Sequence, residues 1–218
     1  MLKRTFIWPA SLRLAHWLMA FAVGGLLLTG WVLSHIAAYY QVALDYHFLL
    51  GYLLVFALVI RLYPLFATPR SAAGWRDLVP GRGTLPAMGA MLRFYVSFGR
   101  TPLPHWYAHN PLWAPLYLLL FVLLVLLVIS GFLLGAGHHT LLINLYGLHE
   151  HVAGFVGWFT VLHVLTVVAQ DLKGGQSDIS AMIHGYRIFR IEKPAPDVHT
   201  VSLDSLKQRD TGHQDQQA

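Results

Sequence analysis

The sequence predicts an all-α integral membrane protein, a four-helix transmembrane bundle with short amphipathic helices on its cytoplasmic side. Of its 218 residues, 56% are hydrophobic and only 11% charged, whereas about a quarter are charged in a soluble domain. The apolar residues gather into four stretches of about 20, the length that crosses an apolar core of about 30 Å as a helix. The fifteen Lys and Arg avoid residues 14–60 and 101–172 altogether. By the positive-inside rule this places both termini and the long central loop in the cytoplasm.

The absence of Cys excludes a disulfide, a thiolate iron–sulfur site and covalent haem attachment through cysteine. Any redox centre must be held by His or Met, or belong to a partner. The formal charge of +5 does not form a nucleic-acid face, because the basic residues line up with the membrane topology instead. No small-residue cleavage site follows a short apolar core at the N-terminus, so the first span is expected to be retained.

Residues 1–13 carry Lys3, Arg4 and Arg13, with Trp8 and Pro9 as an interfacial entry. The first span is expected over 14–34 and the second over 47–66, with His16 and His47 near their starts. Between them, residues 35–46 contain no Lys or Arg. Residues 67–110 are rich in Pro, Gly and Arg, and within them LPAMGAMLRFYVSF suits a helix lying in the membrane interface.

The third span, over 112–134, holds no His and no charge and is expected to be scaffold. Its Pro115 falls in the first turn, where a missing N–H is tolerated. The fourth span covers 149–171. After it, GGQSDISAMIHGYRIFR is expected to form a capped amphipathic helix with Ser177 or Asp178 near its N-cap. Residues 1–193 thus make one transmembrane domain, and 194–218 a polar tail expected to be disordered. The echo of LLLTGW at 26–31 in LVISGF at 127–132 is expected to mark those two helices meeting through small residues.

Ionisable residues inside a bilayer are functional candidates, and the histidines form a pattern. His149 and His163 are fourteen residues apart. One helix therefore presents them about 40° apart in azimuth and about 21 Å apart along its axis. Gly154 and Gly157 lie between them, as close approach by a flat macrocycle would require. With cytoplasmic termini, His47 and His149 fall near the outer face and His16 and His163 near the inner face. Two level-matched pairs result. A pair of trans imidazoles in a bundle core suits haem iron; neutral imidazole also suits zinc or copper, but zinc calls for more protein ligands than two. The remaining histidines sit at the outer surface (His35, His138, His139), in loops or in the tail, or, like His151, point away from the pairs.

The residues resemble a family: the cytochrome b subunit of membrane-bound nickel–iron hydrogenases, related to the membrane subunit of respiratory formate dehydrogenase. The resemblance covers about residues 8–190. It rests on H-W at 16–17, H-F-L-L-G-Y at 47–52 with R-L-Y at 61–63, A-H-N-P-L at 108–112, the two histidines of 149–164 and I-S-A-M-I-H-G-Y-R at 179–187. Ala108 stands where the family commonly has Gly. The resemblance implies two b haems with His16, His47, His149 and His163 as axial ligands, in the pairs His47–His149 and His16–His163. It further implies an inner-membrane location in a bacterium, anchoring of the hydrogenase small (iron–sulfur) and large (nickel–iron) subunits, and electron delivery to quinone. No catalytic nucleophile or general base stands out.

Arg13, Gln170 and Asp171 are candidates for the quinone site near the inner pair. Arg13, Arg61 and Lys173 are placed to meet haem propionates or to act as interface anchors. Competing readings are a stand-alone di-haem cytochrome b acting on quinone or superoxide, the membrane subunit of another respiratory dehydrogenase, and a histidine-rich metal permease.

Overall fold

The computed structural model describes residues 2–68, 71–81, 83–140, 143–174 and 178–190. The tail from residue 194 lies outside the described residues. The chain divides into two units: residues 4–188, which contain the helices, and a small unit of residues 1–3 with 189–218. In chain order the elements are β1 (Leu2–Phe6), α1 (Ala10–His35), α2 (Tyr40–Ala67), α3 (Leu85–Val96), α4 (Trp113–Gly135), α5 (Leu145–Gly174), α6 (Asp178–His184) and β2 (Tyr186–Arg190). β1 pairs with β2.

Four helical segments are long and apolar enough to cross a membrane: Ala10–His35, Ala37–Ala67, Trp113–Gly135 and Leu145–Lys173. A helix closes all its backbone hydrogen bonds internally, which the bilayer demands. Aromatic and aliphatic side chains such as Phe21, Leu28, Val122 and Trp158 therefore project outward without cost in lipid.

The spans pack as two hairpins, α1 against α2 and α4 against α5, which meet where α2 touches α4. Without a hydrophobic drive between helices in lipid, close packing of small residues holds such hairpins. Ala15, Ala22 and Ala57 are fully buried. A Cβ added at Gly25 would lie 2.7 Å from Leu50, and one at Gly135 2.9 Å from Phe48. A core of Ala22, Leu54, Leu58, Phe121, Leu124 and Val156 joins the hairpins. Close backbone approaches of α5 to α1 and α2 are sparse among the described residues, and that separation accommodates the histidine pairs.

Local chemistry sets the helix starts. Asn144 caps α5, its Oδ1 accepting from the N–H of Gly147. Asn110 Oδ1 accepts from the N–H of Leu112 at the entry to α4. The amphipathic helix expected in the 67–110 loop is α3, with Met91 and Phe94 buried and Leu92 and Val96 exposed.

The structure corrects the expected elements in two places. The second span begins at Tyr40, so His47 lies two turns inside it rather than at its start. The segment after the fourth span is not one helix over 174–190: helix α6 ends at His184, and the chain turns at Gly185, whose φ is +89°. A Cβ there would strike the Trp8 carbonyl oxygen at 2.7 Å, so only glycine fits. Beyond the turn, YRIFR extends as β2. Its partner β1 was expected only as a basic entry segment; Ile7 and Trp8 just after it both donate to the Gly185 carbonyl, at 2.9 and 3.1 Å.

The start of α6 at Asp178 agrees with the expected N-cap position. The carboxylate of Asp171 accepts from the N–H groups of Asp178 and Ile179, at 2.7 and 3.0 Å. This places an anion at a helix N-terminus. Ser177 lies outside the described residues.

Candidate functional site

The four histidines form the two expected pairs. The ring centres of His47 and His149 are 6.3 Å apart with their planes at 62°; those of His16 and His163 are 6.4 Å apart at 68°. Both pairs meet edge-on. With metal–nitrogen bonds of about 2.0 Å and ~1.1–1.2 Å from nitrogen to ring centre, two trans imidazoles on one metal place their centres roughly 6.3 Å apart. The spacing thus fits a single iron between each pair.

At one level, Thr29 Oγ1 lies 2.8 Å from His47 Nδ1 and Ser130 Oγ lies 2.8 Å from His149 Nδ1. At the other, His163 stacks on Phe159 and meets the edges of Trp113 and Tyr117, with ring centres at 6.3, 5.6 and 5.9 Å. Its Nδ1 is buried and makes no hydrogen bond among the described residues. His16 packs edge-on to Trp17 at 5.4 Å.

Of the glycines between His149 and His163, only Gly154 faces open space: an added Cβ would meet nothing within 4 Å. At Gly157 it would touch Leu27 of α1 at 3.5 Å, so Gly157 serves helix packing.

Arg61 is 4% exposed, donates to the Ala73 carbonyl at 2.9 Å and lies 5.1 Å from the Phe121 ring centre. No carboxylate lies within 4.0 Å of it among the described residues. A buried cation without a protein counter-ion suits an anionic side group of a bound macrocycle. Lys173 instead packs its alkyl stem against Gly99.

The three quinone candidates all bond to the protein. Arg13 donates to the Ile183 carbonyl, and beside it Trp17 Nε1 donates to the Met182 carbonyl at 2.9 Å. These bonds hold α6 against α1. Arg13 Nε is buried with no partner among the described residues. Gln170, 2% exposed, bonds through its amide to the Tyr95 hydroxyl, and Asp171 caps α6.

Sequence reasoning missed two hubs. Tyr95 Oη accepts from Asn110 Nδ2 and Trp113 Nε1, both at 3.1 Å, besides its bond to Gln170. Burial raises its pKa above the usual tyrosine value, against the opposing effect of these hydrogen bonds. Arg187, 1% exposed, pairs with Asp178 at 2.8 Å and donates to the carbonyls of Trp106, Tyr107 and Ala108. Burial raises the Asp178 pKa even against the attraction of Arg187. The Arg of I-S-A-M-I-H-G-Y-R thus clamps the loop that leads into A-H-N-P-L. In that loop His109 Nδ1 meets Asp77 at 2.5 Å. The signal for these roles was present in the motifs, but spacing alone does not say what a motif residue touches.

Two imidazole pairs stacked at two levels of a four-helix membrane bundle define a transmembrane cytochrome of the b type. The chain matches the prokaryotic cytochrome b561 family over residues 7–185 and belongs to it; membership in a cytochrome b family implies b-type haem. It is 25% identical to the probable Ni/Fe-hydrogenase B-type cytochrome subunit of Cupriavidus necator, over 87% of this chain and 89% of that one. The same identity links it to the protein of that name from Azotobacter vinelandii, over 87% and 90%. To the probable Ni/Fe-hydrogenase 1 B-type cytochrome subunit of Escherichia coli K12 it is 23% identical, over 86% and 92%. No solved structure matches the chain.

Proposed function

We propose that this protein is the b-type cytochrome subunit of a Ni/Fe hydrogenase, carrying electrons from the iron–sulfur subunit across the bacterial inner membrane to quinone. The observation that carries this reading is the pair of ring separations, 6.3 and 6.4 Å, in a chain whose relatives bear the hydrogenase cytochrome name. Haem bound in each pair supplies a one-electron carrier near each membrane face. The chain's own work is to hold His47 and His149 at one level and His16 and His163 at the other, separated along α5 by about 21 Å. Arg61 balances negative charge at the inner level, and the surrounding apolar spans exclude water.

The distribution of basic residues supports cytoplasmic termini, so the hydrogenase docks on the His47–His149 face. Inward electron movement against a negative interior is opposed by about 2.3 kcal/mol per charge per 100 mV, so turnover stores energy in the membrane potential. Quinone reduction is placed beside the inner pair. A cleft of about 270 Å³ bounded by Asp77, His105 and His109 supports this: Tyr117 lies 5.9 Å from both His109 and His163, ring centre to ring centre. Arg13, Gln170 and Asp171 are the polar residues assigned to the same level, and Arg13 Nε is a buried donor with no partner among the described residues.

The test is purification from membranes with haem quantitation. Two b haems per chain, co-isolation of iron–sulfur and nickel subunits, and hydrogen-dependent quinone reduction are expected. His47→Ala should lose one haem and keep the other. A chain without haem, or a His47→Ala protein that keeps two haems with unchanged spectra, would refute the assignment.

A further inference from the structure

The two dipeptides that echo each other, Thr29-Gly30 and Ser130-Gly131, occupy matching places in the two hairpins. Thr29 of α1 meets His47 of α2, and Ser130 of α4 meets His149 of α5, each at 2.8 Å through Nδ1. The neighbouring glycines lie under the same rings. A Cβ added at Gly30 would be 3.7 Å from His47 Cε1, and one at Gly131 3.3 Å from His149 Cε1. The hydroxyl fixes one edge of the imidazole while the glycine leaves room for the ring.

Each hydroxyl also bonds within its own helix. Thr29 Oγ1 donates to the Gly25 carbonyl at 2.8 Å, and Ser130 Oγ to the Leu127 carbonyl at 3.1 Å. A hydroxyl has one proton and two lone pairs. With its proton committed to the carbonyl, it faces the imidazole as an acceptor. Nδ1 then carries the proton, and Nε2 keeps the lone pair a metal requires. His163 has no such acceptor for Nδ1 among the described residues.

We infer that Thr29 and Ser130 are positioning residues that lock both ligands of the His47–His149 site in the Nδ1–H tautomer. They also make this site's imidazoles the better electron donors of the two levels. The inference rests on the bis-histidine haem reading. A hydrogen bond accepted from Nδ1–H raises ligand basicity, which favours the oxidised iron and lowers its potential. The His47–His149 level is thereby set below the other, and electrons entering there run downhill within the chain.

The experiment uses the full chain in its native membrane complex, with Thr29→Val, Thr29→Ser and Ser130→Ala. Haem per chain and both midpoint potentials are measured, the His47–His149 haem being assigned as the one lost in His47→Ala. Thr29→Val and Ser130→Ala should each shift that midpoint upward, leave the other unmoved, and weaken retention of that haem by about 10–100-fold. Thr29→Ser, which keeps the hydroxyl and removes a methyl, should behave as wild type. Loss of the haem in Thr29→Val with retention in Thr29→Ser supports the same role.

Unchanged midpoints with two haems in both hydroxyl-less variants would overturn the inference. So would equal effects of Thr29→Val and Thr29→Ser, which would show packing to be the cause. A wild-type protein lacking the two-haem spectrum would overturn the haem reading and this inference together, and the wild-type spectrum tells the two failures apart.

Discussion

Replacing Arg187 by Met should release the C-terminal segment while leaving the bundle intact. The Met side chain fills much of the same volume but carries no charge, so Asp178, with its side chain only 16% exposed, loses its cation. Breaking a buried ion pair from one side costs about 3–5 kcal/mol, because the remaining charge stays buried. Among the three carbonyls Arg187 reaches, only Tyr107 lies close, at 2.6 Å; Trp106 and Ala108 lie at 3.2 and 3.3 Å. They therefore add little beyond that range. A loss of about 4 kcal/mol at 1.4 kcal/mol per decade corresponds to roughly 10³-fold more frequent local opening.

Hydrogen exchange reads this directly. The amides of Ile7, Trp8 and Gly185, which close the junction of β1 and α6, should exchange faster by that factor, while those in the middle of α5 stay protected. Acceleration below tenfold would refute the assignment of Arg187 as the clamp. The pH dependence checks its cause. Burial raises the Asp178 pKa in the folded protein, and removing Arg187 raises it further. A carboxyl with a raised folded pKa contributes stability that is present below its unfolded pKa and lost as pH rises through the folded one. The defect of Arg187→Met should be full at neutral pH and shrink in acid, and adding Asp178→Asn should rescue it at neutral pH.

Two further outcomes follow from contacts at the sites. Gly131→Ala should weaken haem retention at the His47–His149 level and Gly30→Ala should not, because the new Cβ meets His149 at 3.3 Å but His47 at an ordinary 3.7 Å; haem per chain checks this. Tyr95→Phe strands Asn110, Trp113 and Gln170 at about 1–3 kcal/mol for each donor left buried, and should lower the thermal midpoint of the purified protein. In the wild type, the Tyr95 phenol should ionise only above the usual tyrosine range, as followed by ultraviolet titration against the Phe variant.

The spans and the histidine pairs were legible because the bilayer simplifies the code. A helix must close its own hydrogen bonds, and a histidine in it has few tolerable fates, so hydropathy and a spacing of fourteen residues carried the reading. The interfacial segments were less legible. β2 was merged with α6 because YRIFR has no helix-breaking residue inside it; what separates the two is a single glycine, required by the approach of Trp8 from the other end of the chain. A carboxylate that caps α6 comes from Asp171, which lies well before Asp178 in the chain, and local pattern does not reveal it. The polar candidates Gln170 and Asp171 were visible as polar, but not their partners, Tyr95 and the α6 amides.

The T-G and S-G echo shows where legibility ends. As sequence, the echo suggests that the two helices carrying it meet each other through small residues; the structure instead sets each copy against its own hairpin partner, Gly30 under His47 of α2 and Gly131 under His149 of α5. The same pair also does something no spacing rule records. The hydroxyl, with its proton given to its own helix, faces the imidazole Nδ1 as an acceptor, and the glycine sets the distance. The design occurs once per hairpin, and both copies face one level, so on the proposed bis-histidine reading the hydroxyls would distinguish the two sites without a charge of their own. Arg61, buried in α2, belongs to the other level, beside His16, where positive charge would favour a reduced haem. With haem in both pairs, hydrogen bonding at one site and charge at the other would bias electrons in the same direction, from His47–His149 toward His16–His163.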